Sequence, residues 1–134
     1  APIYDCGSCL YPQMDEIGMQ KVLGDEKEIH QRVYLFPTSA ILEQGKKIPY
    51  FDYISSLKNE DCNQALQRIA DRIDMDRLYA LVEEAPFITE LQKDFYRIML
   101  SERKAKILDY SMELFLGHEI TQKERQDPYQ LQLL

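Results

Sequence analysis

Hydrophobic residues recur every three or four positions along most of the chain, which is the spacing of helices with one buried face. The first stripe covers residues 14–22 and stops near Gly24, a residue type that often follows the end of a helix. Asp25 is placed to cap a second stripe, which Pro37 ends. The pattern therefore predicts two consecutive helices before residue 38.

Three further helices begin at capping residues that can be recognised in the sequence. Asn59 is placed to cap one helix, and Asp74 caps the next. That second helix should stop before Pro86, because the residue before a proline disfavours the helical region. Thr89 and Gln92, three residues apart, have the spacing of a capping box.

The capping box opens the longest hydrophobic stripe in the chain. One face stays apolar for about 26 residues, which is roughly 40 Å of helix. Its members are Leu91, Phe95, Ile98, Ala105, Leu108, Met112 and Phe115. The stripe predicts a single α-helix that ends at Gly117, followed by a polar, loosely attached tail over residues 118–134.

In residues 38–56 the hydrophobic positions follow neither the helical nor the strand period clearly. The run from Ser39 to Leu42 is compatible with a strand or with a helical turn, and Pro49 suits the first turn of a short helix. Taken along the whole chain, the pattern predicts a mainly α fold, a helical bundle that forms one domain over residues 1–134. Extended structure is expected only in a short segment at the N-terminus.

Charge and composition narrow the classes of partner. The chain has 134 residues, with 16 Lys and Arg against 23 Asp and Glu and a net charge of −7. This excess of negative charge disfavours nucleic acid and anionic membranes as partners. No stretch approaches the roughly 20 apolar residues of a membrane helix, and no basic start precedes an apolar signal core. We therefore expect a cytoplasmic protein without a membrane partner.

The cysteines and histidines are few. The chain has three cysteines, Cys6, Cys9 and Cys62. Because an odd number cannot all pair in disulfides within one chain, reduced thiols are favoured. The CxxC spacing of the first two leaves two interpretations open: a metal or redox pair, or small residues in a turn. His30 and His118 have no metal-ligand spacing, so a self-contained hydrolase or metal enzyme is the weakest class, and His118 is expected to favour a helix C-terminus electrostatically.

The first eight residues, APIYDCGS, bring an apolar pair and a carboxylate to a turn. This string resembles the L-A-P-x-Y-D-x-x-S segment of the HipA-like toxin kinases, and residues 76–110 resemble the C-terminal helices of HipA-type proteins of Gram-positive bacteria. The resemblance implies a kinase-like C-terminal lobe, serine/threonine kinase activity with ATP and Mg²⁺, and an antitoxin-like protein as partner. It assigns metal binding to Asp5 and shaping of the turn to Tyr4 and Ser8, and it assigns no catalytic or nucleotide-binding residue.

The remaining parts of such a kinase are expected upstream. In this family the nucleotide-covering loop, the phosphate-binding Lys and the catalytic Asp and Asn precede the segment that matches Asp5. We therefore interpret the chain as a C-terminal fragment, inactive alone, whose main partner is the missing N-terminal part of the same protein. Residues 1–9 are then expected to be irregular or paired with another copy. The alternative is a non-enzymatic helical module that binds another protein.

Overall fold

The computed structural model describes residues 10–126, and the side chains of residues 10–119. Within these residues the fold is mainly helical, as predicted. The elements are α1 (Glu16–Leu23), α2 (Glu26–Tyr34), β1 (Leu42–Glu43), β2 (Lys46–Lys47), α3 (Tyr50–Ser55), α4 (Glu60–Ala70), α5 (Met75–Glu84), α6 (Glu90–Arg103), a π-helical segment (Lys104–Asp109) and α7 (Tyr110–Gln126). No helix in the described part of the chain is both long and apolar enough to cross a bilayer.

The predicted caps start the helices where the sequence indicates. The side chains of Asp25, Asn59 and Asp74 each accept a hydrogen bond from a backbone N–H in the first turn of α2, α4 and α5, at 2.9, 2.9 and 3.2 Å. Thr89 and Gln92 form the complete capping box of α6, with reciprocal bonds of 2.8 and 3.2 Å. These contacts satisfy N–H groups that have no partner inside the helix, so the helix starts are confirmed.

The prediction that extended structure occurs only at the N-terminus is wrong, because a short antiparallel hairpin lies between α2 and α3. Leu42 pairs with Lys47, and Glu43 pairs with Lys46. The two turn residues, Gln44 and Gly45, have φ angles of 51° and 79°. A two-residue turn with both φ angles positive matches the twist of paired strands. Of the run from Ser39 to Leu42, only Leu42 belongs to a strand, and the three residues before it are neither strand nor helix.

The two prolines near the hairpin lie outside helices rather than within them. Pro49 is the N-cap of α3 and not a residue of its first turn. α2 ends at Tyr34, three residues before Pro37, and the peptide bond between Phe36 and Pro37 is cis. Both prolines lie close to helix ends, as predicted. The observed end of α2 and start of α3 each differ from the predicted position by one or more residues.

The prediction of one uninterrupted α-helix from Thr89 to Gly117 is wrong in its middle. The buried residues Phe95, Met99, Ile107 and Ser111 are separated by multiples of four, whereas an α-helix turns every 3.6 residues. An α-helix with this spacing would rotate its buried face away from the bundle. The π-helical segment has wider turns, with hydrogen bonds that span five residues, and it keeps the four side chains on one face.

The predicted end at Gly117 is also wrong, since α7 continues through it to Gln126. A glycine ends a helix when its backbone turns into the left-handed region, and Gly117 keeps the helical conformation. Residues 118–126, expected in the polar tail, are therefore helical, and residues 127–134 lie outside the described part. His118 is exposed within α7 and does not stand at a helix C-terminus.

The most deeply buried cluster lies between α1 and α6. Met19 and Val22 from α1 meet Phe95 and Met99 from α6, and each of the four is at most 1% exposed. Leu10, Tyr11 and Met14 pack against this cluster. The first described residues are therefore held against the middle of α6, which sets the position of the candidate site.

Candidate functional site

The Tyr11 ring contacts two arginines that come from different helices. The guanidinium carbons of Arg32, on α2, and Arg103, the last residue of α6, are each 5.5 Å from the centre of the Tyr11 ring. The Arg103 Nη2 atom also donates a hydrogen bond of 3.1 Å to the Tyr11 hydroxyl. A cation over an aromatic face is attracted by the ring's electron density. We refer to Tyr11, Arg32 and Arg103 as the arginine clamp.

The rest of the chain holds both arginines in place. Arg103 donates from Nε to the Arg32 carbonyl at 3.2 Å and from Nη2 to the Phe36 carbonyl at 3.4 Å. Arg32 donates from Nη1 to the Glu28 carboxylate at 2.7 Å and to the Glu28 carbonyl at 3.1 Å. The clamp thus joins the N-terminal residues, α2, the loop after α2 and the end of α6.

A mainly apolar cavity of about 700 Å³ lies behind the clamp, between the end of α2, α3, α5 and the π-helical segment. Its apolar walls include Val33, Ile54, Leu78 and Ile107. Arg103 and Lys104 are the cationic residues of its lining, and Lys104 is ion-paired with Asp109. The size and the few polar groups are typical of ligand-binding cavities, although both cations are already engaged with protein atoms.

The structure does not place the site residues predicted from the sequence. Asp5, the predicted metal ligand, lies outside the described residues, as do Tyr4, Ser8 and the Cys6–Cys9 pair. Their roles remain predictions. Within residues 10–126, no group of three or more His, Cys, Asp or Glu side chains could hold a metal ion.

The two histidines, His30 and His118, lie on α2 and α7. The ring of His30 contacts Tyr34 on the same helix, at 4.4 Å between centres, and the side chain is exposed. His118 is exposed on α7. Among the described residues, neither ring forms a hydrogen bond to a nucleophile or a carboxylate, so these side chains lend no support to a self-contained hydrolase.

The sequence analysis missed the clamp, and the feature that distinguishes Arg103 becomes visible only once the buried residues are known. Phe95, Met99, Ile107 and Ser111 occupy every fourth position along a buried face, and Arg103 fills the central position of that row. A charged residue within a buried row is expected to be paired or hydrogen-bonded. Its partners could not be named from the sequence, because Tyr11 is 92 residues away.

Cys62 is the cysteine that the structure describes as free and partly buried, on α4. Burial disfavours the charged thiolate and raises the pKa of the Cys62 thiol. We expect iodoacetamide to alkylate Cys62 several-fold more slowly than it alkylates an exposed cysteine at neutral pH, since the thiolate is the nucleophile. The rate should rise as the pH increases toward this raised pKa.

The alkylation rate can be followed by mass spectrometry in a chain that carries Cys6→Ser and Cys9→Ser. The control is the same chain in concentrated guanidinium chloride, where the Cys62 thiol should return to ordinary reactivity. Equal rates in the folded and unfolded chains would contradict the effect of burial.

Comparisons with known proteins agree with the helical fold. No protein-family model matches the chain. The chain is 45% identical, over 124 residues, to the serine/threonine-protein kinase CtkA of Helicobacter pylori (strain J99). The match covers 89% of this chain and 38% of that kinase, so the chain spans about two fifths of its relative's length.

The fold is similar to part of a solved kinase structure as well. The crystal structure of a Helicobacter pylori proinflammatory kinase CtkA matches with a TM-score of 0.79 and 44% sequence identity, over 86% of this chain and 42% of that chain. At this identity, the likeness extends to the sequence and is not a chance agreement of helical bundles. The predicted kinase-like helical lobe is therefore confirmed as the fold class.

Proposed function

We propose that this chain forms the helical lobe of a serine/threonine protein kinase. The observation that carries the proposal is the 45% identity to a serine/threonine-protein kinase along 89% of the chain. The structural match to a kinase, with a TM-score of 0.79, supports it independently of any short motif. Because the chain spans about two fifths of that relative, the activity belongs to a longer protein that includes the nucleotide-binding part.

The finer assignment rests on the first residues of the chain. We propose a HipA-like kinase that transfers the γ-phosphate of ATP to a serine or threonine hydroxyl of a protein, with Asp5 as a Mg²⁺ ligand. A carboxylate is the hard oxygen donor that Mg²⁺ prefers. When bound, Mg²⁺ neutralises charge that develops on the phosphates. The other metal ligands and the catalytic base would come from the upstream part of the protein, which is the main partner of this chain.

The proposal is tested by nucleotide binding to the full-length protein. We expect calorimetry to detect ATP binding that strengthens in the presence of Mg²⁺, and we expect Asp5→Asn to remove the effect of Mg²⁺ because the neutral amide is a weaker ligand. The 134-residue chain alone should transfer no phosphate to a protein substrate.

The matched control is Asp76→Asn, which removes an exposed carboxylate on α5. This variant should bind ATP with the same Mg²⁺ dependence as the wild type. Absence of Mg²⁺-dependent ATP binding in the full-length wild type would refute the proposed function.

A second candidate, a helical module that binds another protein, is supported by one observation. Phe87, in the loop between α5 and α6, is fully exposed and has a φ angle of 65°. A bulky side chain in the left-handed region is uncommon, and an exposed aromatic residue is a frequent anchor in protein interfaces. The same calorimetry separates the candidates, because such a module needs no nucleotide.

A further inference from the structure

We propose that the apolar cavity behind the arginine clamp binds a small amphiphilic acid, a molecule with an apolar body and one carboxylate, and that Lys104 binds this carboxylate. The inference goes beyond the proposed function and does not depend on it, because such binding needs no nucleotide. Four features of the described residues support it.

The first feature is the size of the cavity, which is about 700 Å³. Protein interiors are close-packed, with few voids larger than a water molecule. A cavity of this size is therefore not a packing defect, and it falls within the range of sites that enclose most of a small molecule. Apolar side chains that face an unfilled space lose packing contacts, so an apolar ligand that fills the space would restore them.

The second feature is the access to the cavity from solvent. Val33 and Ile107 in its lining are buried, whereas Leu35, Phe36 and Tyr50 are 49%, 45% and 42% exposed. The lining thus continues from the core to the surface through mainly apolar side chains. A ligand can enter without unfolding of the bundle, and its apolar body would cover the exposed side chains.

The third feature is the sign of the charges in the lining. Among the described residues that line the cavity, the charged ones are Arg103 and Lys104, and both are cations. The chain as a whole carries a net charge of −7, so the cavity differs from the rest of the protein. Complementary charge favours an anionic ligand and disfavours a cationic one. Arg103 contributes its charge, while its hydrogen bonds hold the clamp.

The fourth feature is the pairing of Lys104. Its side chain is 14% exposed, and its ammonium group is ion-paired with Asp109, whose side chain is 50% exposed. An ammonium group has three donors, and Asp109 is its hydrogen-bond partner among the described residues. A ligand carboxylate can use the remaining donors or replace Asp109. Such a replacement costs little, because water can solvate the half-exposed Asp109 carboxylate and exposed ion pairs are weak.

The first experiment tests the ligand class by calorimetry on the full-length protein without nucleotide. The probes are decanoate, decan-1-ol and decylammonium, which share one apolar chain and differ in the charge of the head group, each below its micelle concentration. We expect saturable binding of one decanoate per protein chain. Decan-1-ol should bind about tenfold more weakly, because a charged hydrogen bond is lost. Decylammonium should bind more weakly still, because the cations of the lining repel it.

The second experiment changes the contact with the head group. Lys104→Gln should weaken decanoate binding about tenfold and leave decan-1-ol binding nearly unchanged. Asp109→Asn should strengthen decanoate binding several-fold, because it removes the carboxylate that competes for the same ammonium group. A general loss of stability would not shift the affinity in opposite directions for the two partners of one ion pair.

The matched controls lie on α6, outside the lining of the cavity. Lys93→Gln removes an ammonium group from a side chain that is 12% exposed and ion-paired with Glu83 and Glu90. Asp94→Asn removes a carboxylate from a side chain that is 57% exposed and ion-paired with Arg97. Both variants should bind decanoate with the wild-type affinity.

The third experiment fills the cavity. Leu78→Trp enlarges a side chain of the lining and should abolish the binding of decanoate and of decan-1-ol. Leu81→Trp is the control and should bind as the wild type does, because Leu81 is on the same helix and is 60% exposed. If circular dichroism shows that Leu78→Trp does not fold, the smaller change Leu78→Phe takes its place and should weaken the binding of both ligands.

Several results would overturn the inference. Absence of saturable decanoate binding to the wild type would mean that the cavity is closed or is occupied by the upstream part of the full-length protein. Binding that survives in the filled-cavity variant would place the ligand elsewhere. Equal affinities for decylammonium and decanoate, or an unchanged decanoate affinity in Lys104→Gln, would exclude recognition of the carboxylate by Lys104. None of these results affects the proposed function, which is tested by Mg²⁺-dependent ATP binding.

Discussion

Phe95→Ala is expected to lower the free energy of unfolding by about 3–5 kcal/mol, the usual cost of removing a fully buried aromatic side chain. Phe95 is 0% exposed and lies in the cluster with Met19, Val22 and Met99. Its ring also contacts Tyr11, so the substitution removes both core volume and the support of the arginine clamp. The remaining cavity could be closed only by moving α1 toward α6, which would disturb the other members of the cluster.

Urea denaturation of the 134-residue chain, followed by circular dichroism, measures this effect. Phe87→Ala is the matched control, because Phe87 is fully exposed. A surface substitution of this kind should change stability by about 0.5 kcal/mol or less. A loss below about 1 kcal/mol for Phe95→Ala would mean that this cluster is not the main core.

Deletion of Ala105 is expected to be tolerated, whereas deletion of Asp94 should clearly destabilise the fold. Ala105 is exposed within the π-helical segment. In a regular α-helix, the step of eight positions from Met99 to Ile107 would turn their side chains apart by about 80°, whereas a step of seven positions leaves about 20°. Removing Ala105 therefore allows a regular helix that keeps both side chains on the buried face, and stability should stay within about 1 kcal/mol.

Deletion of Asp94, an exposed residue of α6, has the opposite consequence. No wide turn is present there to absorb the change, so every later residue of the helix rotates by about 100° relative to the start of the helix. Tyr96 and Leu100 would take the core positions of Phe95 and Met99, which buries the Tyr96 hydroxyl and repacks the cluster, at a cost of about 2–3 kcal/mol. Thermal unfolding of the two deletion variants and the wild type compares their Tm values. Equal destabilisation by both deletions would show that the π-helical segment does not accommodate an extra residue.

The helix starts could be predicted because their causes are local. Asn59, Asp74 and the Thr89–Gln92 pair each bond to backbone groups within three residues. Because both partners of each contact lie within one helical turn, the contact can be predicted from the local sequence. The mainly helical class follows from the same signals.

The π-helical segment and the short hairpin could not be predicted from the hydrophobic pattern, because packing between elements causes them. The hydrophobic spacing from Phe95 to Ser111 is compatible with a slowly rotating α-helix or with a wide turn, and only contacts with the neighbouring helices favour the second. The hairpin at Gln44 and Gly45 has strands of two residues each, too short for an alternating pattern. The prediction of a helix end at Gly117 was wrong for a related reason, because a glycine permits a helix to end but does not require it.

The candidate site also has one part that the sequence indicates and one part that only the fold brings together. Asp5 was found from a short motif and remains a prediction, as it lies outside the described residues. The arginine clamp depends on contacts between residues that are distant in sequence, and no local pattern links Tyr11 to α2 or α6. Arg103 stands out only once its buried row is known.

The bond between Arg103 and Tyr11 joins positions that are 92 residues apart in sequence. Closing so large a loop costs conformational entropy, while each helix forms through contacts between near neighbours. During folding, the first described residues should therefore dock onto a bundle that is already assembled. Because Tyr11 contacts Phe95 in the cluster between α1 and α6 and both arginines of the clamp, this docking should be lost on warming together with that cluster.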